Sequence, residues 1–155
     1  MRLLLASAVL ALPLAACKAE AEATREPASQ AAREEAPSDV IGLSVADVAS
    51  RWNEGAIADG TLTLVDVRTR AEAAEGLIGG ARIISLDDFD PEALADELAA
   101  DYQGEVIFYC RSGRRSAIAA RRWAEFTGEP ARHMEGGFLA WQGAGQPVFV
   151  PYVIE

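Results

Sequence analysis

The stretch Glu105–Trp123, "EVIFYCRSGRRSAIAARRW", decides the fold because it joins a strand pattern to a helix pattern, with one cysteine between them. Its first six residues are apolar and β-rich, and they predict a buried strand that ends at Cys110. A short loop with Gly113 follows, and the remaining residues predict a helix that begins near Arg115 or Ser116. A strand, a loop containing glycine and a helix in this order are typical of an α/β fold.

The chain from residue 40 onward repeats this alternation. Strands are predicted at Val40–Ile41 and at residues 61–67, 81–86, 105–110 and 131–135. Helical patterns lie between them, with Ser44 as one N-cap and Asp90, followed by Pro91 at the first helical position, as another. Strands that alternate with helices imply a sheet covered on both faces. We therefore predict that residues 40–155 form one α/β domain with a five-stranded, mainly parallel sheet.

The composition limits the classes of function. The chain has 155 residues, enough for one ordinary domain, and 50% of them are hydrophobic. A formal net charge of -10 argues against nucleic acid as a partner, because a protein that binds a polyanion needs a basic surface. Positive charge is nevertheless concentrated just after the cysteine, in Arg111, Arg114, Arg115, Arg121 and Arg122.

Three features of this loop favour a thiolate at Cys110. The geometry of strand, loop and helix points backbone N–H groups into one concavity, the helix dipole adds partial positive charge, and the arginines add full charges. We therefore expect the pKa of Cys110 to lie below that of a free thiol, beside a site for a small anion. The alternatives are a buried structural cysteine and, for Arg121 and Arg122, a solvated helix face.

Three segments, in the same order along the chain, resemble the rhodanese (sulfurtransferase) family. "CRSGRRS" is similar to its active-site loop, in which a cysteine and an arginine, here Cys110 and Arg115, are the first and last of six residues. "LVDVRTRAEAAEGLIGGARIISL" is similar to its Asp-Val-Arg segment and middle turn, and "MEGGFLAWQGAGQPV" to its closing segment. Leu77 and Gly79 replace the usual His and Pro of the middle turn, so we expect altered packing there without loss of catalysis.

The resemblance implies a rhodanese-like fold and a transferase that works through a persulfide on Cys110. A small anionic sulfur donor such as thiosulfate supplies the sulfur, and a thiol or cyanide acceptor removes it. The loop that stabilises the persulfide and binds substrate comprises Arg111, Ser112, Gly113, Arg114 and Arg115. Arg111 and Arg114 are expected to attract the donor, whereas Arg115 is expected to brace the loop. No cofactor is implied.

Two other functions compete with this interpretation. Cysteine phosphatases of similar architecture place five residues between cysteine and arginine, whereas four, "RSGR", separate Cys110 from Arg115, and Ser116 stands at the phosphatase spacing. The loop also lacks a general acid. The second alternative is a persulfide carrier or a sulfur- and redox-sensing module without turnover, tethered to a membrane. The arginine-rich loop favours the enzyme, because a small anion needs local positive charge.

Three further residues are candidates for the site or its surroundings. Asp66 and Arg68, at the end of the predicted strand 61–67, either orient the neighbouring loop, with Arg68 helping at its mouth, or form a purely structural ion pair. His133, the one histidine of the chain, falls in the predicted strand 131–135 with no evident proximity to the loop, and a structural role is expected. Ligands of the right type are too few for a metal site, so none is predicted.

The first residues predict export. Residues 1–16 have Arg2, a short apolar run and small residues, which are typical of a signal peptide. "LAAC" resembles a bacterial lipobox and implies lipidation of Cys17; the alternative is an ordinary signal peptide. Lys18 favours the outer over the inner membrane, so we predict a periplasm-facing lipoprotein of the cell envelope, held to the membrane by its lipid anchor. Residues 17–39, without aromatic or large aliphatic side chains, predict a disordered tether. No protein partner is identified.

Overall fold

The structure, a computed structural model, describes residues 39–98, 102 and 104–151. The predicted signal peptide, the lipidation site at Cys17 and nearly all of the tether lie outside these residues. Within the described ranges, no helix combines the length and the apolar character needed to cross a membrane.

Five parallel strands form one sheet in the described residues. The strands are β1 (Val40–Leu43), β2 (Leu62–Asp66), β3 (Arg82–Ile83), β4 (Glu105–Tyr109) and β5 (Ala131–Met134). The helices are α1 (Val45–Asn53), α2 (Arg70–Ala74), α3 (Pro91–Glu97), α4 (Arg114–Thr127) and α5 (Gly137–Gly143). The strand order is β1-β5-β4-β2-β3 and every pair is parallel. The predicted five-stranded α/β fold is confirmed.

Local sequence accounts for several helix ends. Ser44 and Asp47 form a reciprocal capping box at the start of α1, with the two backbone-to-side-chain hydrogen bonds each 3.2 Å long. Asp90 caps α3 by accepting the N–H of Glu92 at 3.0 Å. Gly128 ends α4 in the left-handed conformation, with a φ of 73° that a residue with a side chain rarely adopts.

Two apolar clusters lie on opposite faces of the sheet. Val65 and Phe108 belong to the cluster covered by α3 and α4, whereas Leu64, Ile107 and Tyr109 belong to the cluster covered by α1 and α5. Neighbouring residues of one strand therefore enter different clusters, as the two-residue period of a strand requires. Burial on both faces explains why β2 and β4 read as continuous apolar runs.

The strand predicted at residues 81–86 is too long. β3 contains only Arg82 and Ile83, which pair with the last two residues of β2. Beyond it, single hydrogen bonds continue the contact, from the N–H of Ile84 to the carbonyl of Asp66 at 3.0 Å and from Leu86 to Val67 at 3.2 Å. Because β2 ends at Asp66, the following residues have no strand to pair with.

The unusual middle turn is packed by the end of the chain. Leu77 exchanges two backbone hydrogen bonds with Phe149, at 2.8 and 2.9 Å. The ring of Phe149 covers Gly79, where an added Cβ would lie 2.6 Å from the ring. The indole N–H of Trp52 donates to the carbonyl of Gly79 at 2.8 Å. Because Gly79 has no side chain, the ring of Phe149 can pack directly against this turn.

Candidate active site

Cys110 is the first residue after β4, at the carboxyl end of the central strands. Its side chain is 1% exposed, and the N–H of Gly113 points at the sulfur with an N–Sγ distance of 3.2 Å. Gly113 has a φ of 96° and caps α4, so the helix begins at Arg114, slightly earlier than predicted. The positive φ folds the loop tightly enough to return its N–H groups to the cysteine.

Two opposing effects set the charge of Cys110. Burial, the larger single effect, disfavours a thiolate, but hydrogen bonds from Ser116 and from the N–H groups of Ser112 and Gly113 together outweigh it. The pKa of Cys110 is therefore lowered from its ordinary value, which is the direction expected from the sequence. A lowered pKa favours the thiolate at Cys110, which is the nucleophilic form of a cysteine.

Helix α5 holds the loop from outside. The N–H of Phe138 donates to the carbonyl of Cys110 at 2.7 Å, and that of Leu139 donates to the carbonyl of Arg111 at 3.1 Å. Gly137 has a φ of 58°, and a Cβ there would collide with the Cys110 carbonyl. With two carbonyls turned outward to α5, the N–H groups of the loop are free to face the sulfur.

The arginines of the loop divide into two kinds. Arg111 and Arg114 are exposed, as is Ser112. Arg115 instead forms two hydrogen bonds with the carboxylate of Glu72, at 2.7 and 2.6 Å. That contact lowers the pKa of Glu72 to about 2, with further help from Thr69. Two guanidinium groups, those of Arg111 and Arg114, therefore lie at the solvent edge of the site, whereas that of Arg115 is paired with Glu72.

Asp66 and Arg68 form a buried pair. The Nε of Arg68 lies 3.0 Å from both carboxylate oxygens of Asp66, and its Nη2 lies 2.6 Å from one of them and 2.7 Å from the carbonyl of Gly76. The guanidinium also lies 4.1 Å from the centroid of the Phe138 ring. Since Arg68 is only 3% exposed, this is the geometry of an ion pair that braces β2 against α2 and α5.

A cleft of about 220 Å³ opens beside the loop. Its lining includes Arg68, Glu72, Arg111, Phe138 and Gln142. Two larger cavities, of about 340 and 430 Å³, are lined by residues such as Leu62 and Glu105, which begin β2 and β4. A third, of about 250 Å³, lies between β3 and α3. The two largest therefore lie at the end of the strands opposite to Cys110, and the 220 Å³ cleft is the one of these four that a residue of the active-site loop, Arg111, lines.

His133, which has no evident proximity to the loop in the sequence, lies next to the first turn of α4 in the fold. Its Nδ1 is 3.4 Å from the Oγ of Ser116, whose hydroxyl donates to the carbonyl of Gly113 at 2.9 Å. The contact arises because β5 pairs with β4, with His133 opposite Phe108. Strand order is not readable from strand periodicity, although Ser116, in the first turn of the predicted helix, could have been recognised as a neighbour of the cysteine.

Across the residues that the structure describes, no group of three or more His, Cys, Asp and Glu side chains is arranged to hold a metal ion. Comparison with known proteins adds the family. Residues 47–144 match the rhodanese-like domain family, a span that contains Cys110 and the whole loop. The chain belongs to the rhodanese-like domain family.

Individual relatives agree with this assignment. YtwF of Bacillus subtilis, provisionally named a sulfurtransferase, is 38% identical over 90 residues, covering 58% of this chain and 82% of the relative. A protein of Allochromatium vinosum named a sulfurtransferase is 34% identical over 88 residues, covering 57% and 78%. The crystal structure of a thiosulfate sulfurtransferase from Pseudomonas aeruginosa shares the fold, with a TM-score of 0.60, 21% identity and coverage of 71% and 20%. The rhodanese-like domain therefore carries its candidate nucleophile at the head of a six-residue loop.

Proposed function

We propose that this rhodanese-like domain is a sulfurtransferase that moves sulfane sulfur from thiosulfate, or a similar donor, to a thiophilic acceptor through a persulfide on Cys110. One observation carries the proposal: the Cys110 sulfur faces the N–H of Gly113 at 3.2 Å, in a loop whose hydrogen bonds lower its pKa. The sulfurtransferase names of two relatives support the same class of reaction.

The reaction is two successive displacements at sulfur. The Cys110 thiolate attacks the outer sulfur of thiosulfate, the new S–S bond forms, and sulfite leaves with the electron pair of the old one. A nucleophilic acceptor then attacks the outer sulfur of the persulfide and releases the thiolate. With cyanide as the acceptor the product is thiocyanate, and no net oxidant or reductant is required.

The loop contributes positioning and charge to both steps. Its inward N–H groups stabilise the anionic sulfur of the persulfide. Exposed Arg111 and Arg114 attract the dianionic donor, an effect that salt weakens. Arg115 keeps its partner Glu72 and holds the loop in place. The cleft of about 220 Å³ beside Arg111 offers room for the acceptor.

The loop length speaks against phosphate transfer. Four residues separate Cys110 from Arg115, and Arg115 is bound to Glu72 instead of being free to clamp a phosphate. Ser116, at the position where a phosphatase would carry its arginine, is buried and hydrogen-bonded to the loop. A persulfide carrier without turnover remains the competing function, because it would use the same thiolate.

A thiosulfate:cyanide assay tests the proposal, with Cys110→Ser as the control. The wild-type chain should form thiocyanate and the variant should not. If the wild type forms no more thiocyanate than the variant, the enzyme function fails for this donor. Mass spectrometry after exposure to thiosulfate then decides about the carrier: one added sulfur on Cys110 supports it, and an unchanged mass refutes both functions.

We also propose that the domain is tethered to a membrane through lipid on Cys17. The support is the sequence alone: an apolar leader, small residues and the cysteine follow one another as in a lipoprotein signal. Cys17→Ala should release the protein from the membrane fraction of a bacterial host. Unchanged membrane association of that variant would refute lipidation.

A further inference from the structure

A chain of three polar groups lies beneath the active-site loop. His133 Nδ1 is 3.4 Å from the Oγ of Ser116, the Ser116 hydroxyl is 2.9 Å from the carbonyl oxygen of Gly113, and the N–H of Gly113 is 3.2 Å from the sulfur of Cys110. Ser116 is fully buried. The chain connects the one histidine of the protein to its candidate nucleophile.

The hydrogen count fixes the direction of these contacts. The carbonyl of Gly113 and the sulfur of a Cys110 thiolate can only accept, so the single proton of the Ser116 hydroxyl goes to one of them, with the carbonyl 2.9 Å away. Ser116 then has only lone pairs to offer His133. The 3.4 Å contact is therefore a hydrogen bond when Nδ1 of His133 carries a proton and donates it.

We propose that His133 is a positioning residue of the active site, which donates from Nδ1 to Ser116 and so keeps the proton of the Ser116 hydroxyl on the side of the active-site loop. There that proton forms a hydrogen bond either to the Gly113 carbonyl, at 2.9 Å, or to the Cys110 sulfur, whose pKa it lowers. The consequence for sulfur transfer rests on the proposed function. The consequence for the Cys110 thiolate does not, because a thiolate can be measured without any sulfur donor.

The surroundings of His133 suit a neutral donor. Burial lowers the pKa of His133, and the charge of Glu135, the next acidic residue along the chain, opposes this. The residues that pair with His133 across the sheet are Gly42 on β1 and Phe108 on β4, neither of which titrates. From α4 it meets Ser116. A neutral imidazole carries a single N–H, so the location of that proton decides whether the chain of hydrogen bonds exists.

The tautomer can be observed directly. Because the chain contains one histidine, ring ¹⁵N labelling of histidine reports on His133 alone. Long-range ¹H–¹⁵N correlation spectra of the full chain, recorded above the pKa of the imidazole, should show the proton on Nδ1. A proton on Nε2, with Nδ1 bare, would overturn the proposal, because Ser116 could not then receive a hydrogen bond from the ring.

Two substitutions separate the hydrogen bond that His133 donates from the contribution of its ring to packing. His133→Asn keeps an N–H donor near the place of Nδ1, whereas His133→Leu keeps bulk and removes the donor. The readout is the pH profile of iodoacetamide alkylation, followed on the Cys110 peptide by mass spectrometry. The Leu variant should be alkylated about three- to tenfold more slowly below the wild-type midpoint, the size expected from one lost hydrogen bond. The Asn variant should stay within about twofold of wild type.

Ser116→Ala completes the test. In that background His133→Leu should have no further effect, because the histidine acts only through the serine. The proposal is wrong if His133→Leu reacts like wild type, or if its effect is undiminished in the Ser116→Ala background. If His133→Leu does not fold by circular dichroism, the Asn variant and the tautomer spectrum still decide. Absence of thiocyanate formation would count against the proposed function and leave these measurements standing.

Discussion

Arg115 and Glu72 are joined by a two-pronged ion pair, with Nη1–Oε2 at 2.7 Å and Nη2–Oε1 at 2.6 Å. The same Oε2 accepts the backbone N–H of Thr69 at 3.0 Å and its hydroxyl at 3.1 Å, which caps α2. One carboxylate thus connects the active-site loop to a helix that follows a different strand. Bidentate pairing fixes the plane of the guanidinium as well as its distance.

Glu72→Gln should destabilise the fold by about 1 kcal/mol at neutral pH, a value that allows for the partial exposure of the pair. The folded pKa of Glu72, about 2, lies below the ordinary 4.5. Its contribution is therefore complete above about pH 4.5 and is lost as the pH falls towards 2. Urea unfolding of wild type and variant at pH 7 and pH 3 measures this, and the difference between the two should be clearly smaller at pH 3 than at pH 7.

Glu75→Gln is the matched control for that experiment. It removes the same charge from an exposed residue at the end of α2. It should change stability little at either pH. An equal effect of both substitutions would mean that general charge, and not the Arg115 pair, determines the acid dependence.

Arg114→Gln should raise the KM for thiosulfate about three- to tenfold at low ionic strength, with Arg111→Gln behaving similarly. Both residues are exposed beside the thiolate, so under the proposed function we expect them to act through charge on the dianionic donor. Arg121→Gln makes the same charge change further along α4 and should leave KM within about twofold. The difference should shrink in high salt, and a gap between Arg114 and Arg121 variants that is independent of salt would contradict steering.

Gly137→Ala should disrupt the contact between α5 and the active-site loop. The residue has a φ of 58° and no room for a Cβ against the Cys110 carbonyl, so a loss of about 2 kcal/mol or more is expected, together with loss of transfer activity. Gly143→Ala, in the same helix, has open space around its Cβ position and should be neutral or slightly stabilising. Thermal unfolding followed by circular dichroism compares the two variants. Similar melting temperatures would refute the claim that a Cβ at position 137 collides with the Cys110 carbonyl.

Arg68→Lys separates a structural from a substrate role for the buried pair. Lysine cannot reproduce the contacts to both Asp66 and Gly76, so the free energy of unfolding should fall by about 3 kcal/mol. The KM for thiosulfate of the folded variant should stay unchanged, because Arg68 is only 3% exposed. A raised KM with unaltered stability would instead place Arg68 at the mouth of the site.

The sequence alone determined what depends on near neighbours. The capping residues Ser44 and Asp90, the end of α4 at Gly128 and the position of Cys110 between strand and helix all follow from interactions within a few residues. The alternation of strands and helices favoured a parallel sheet covered on both faces, because such a sheet buries continuous apolar strands. The position of the cysteine and its loop therefore follows from the sequence alone.

Only the tertiary structure decided which distant residues surround that loop. Glu72 lies 43 residues from Arg115, and His133 lies 17 residues from Ser116, and neither contact has a local signal. Both depend on which strands lie side by side, and strand order is set by long-range packing rather than by periodicity. The same holds for Arg68, whose burial follows from α5 closing over it, and for β3, which stops where its partner strand ends.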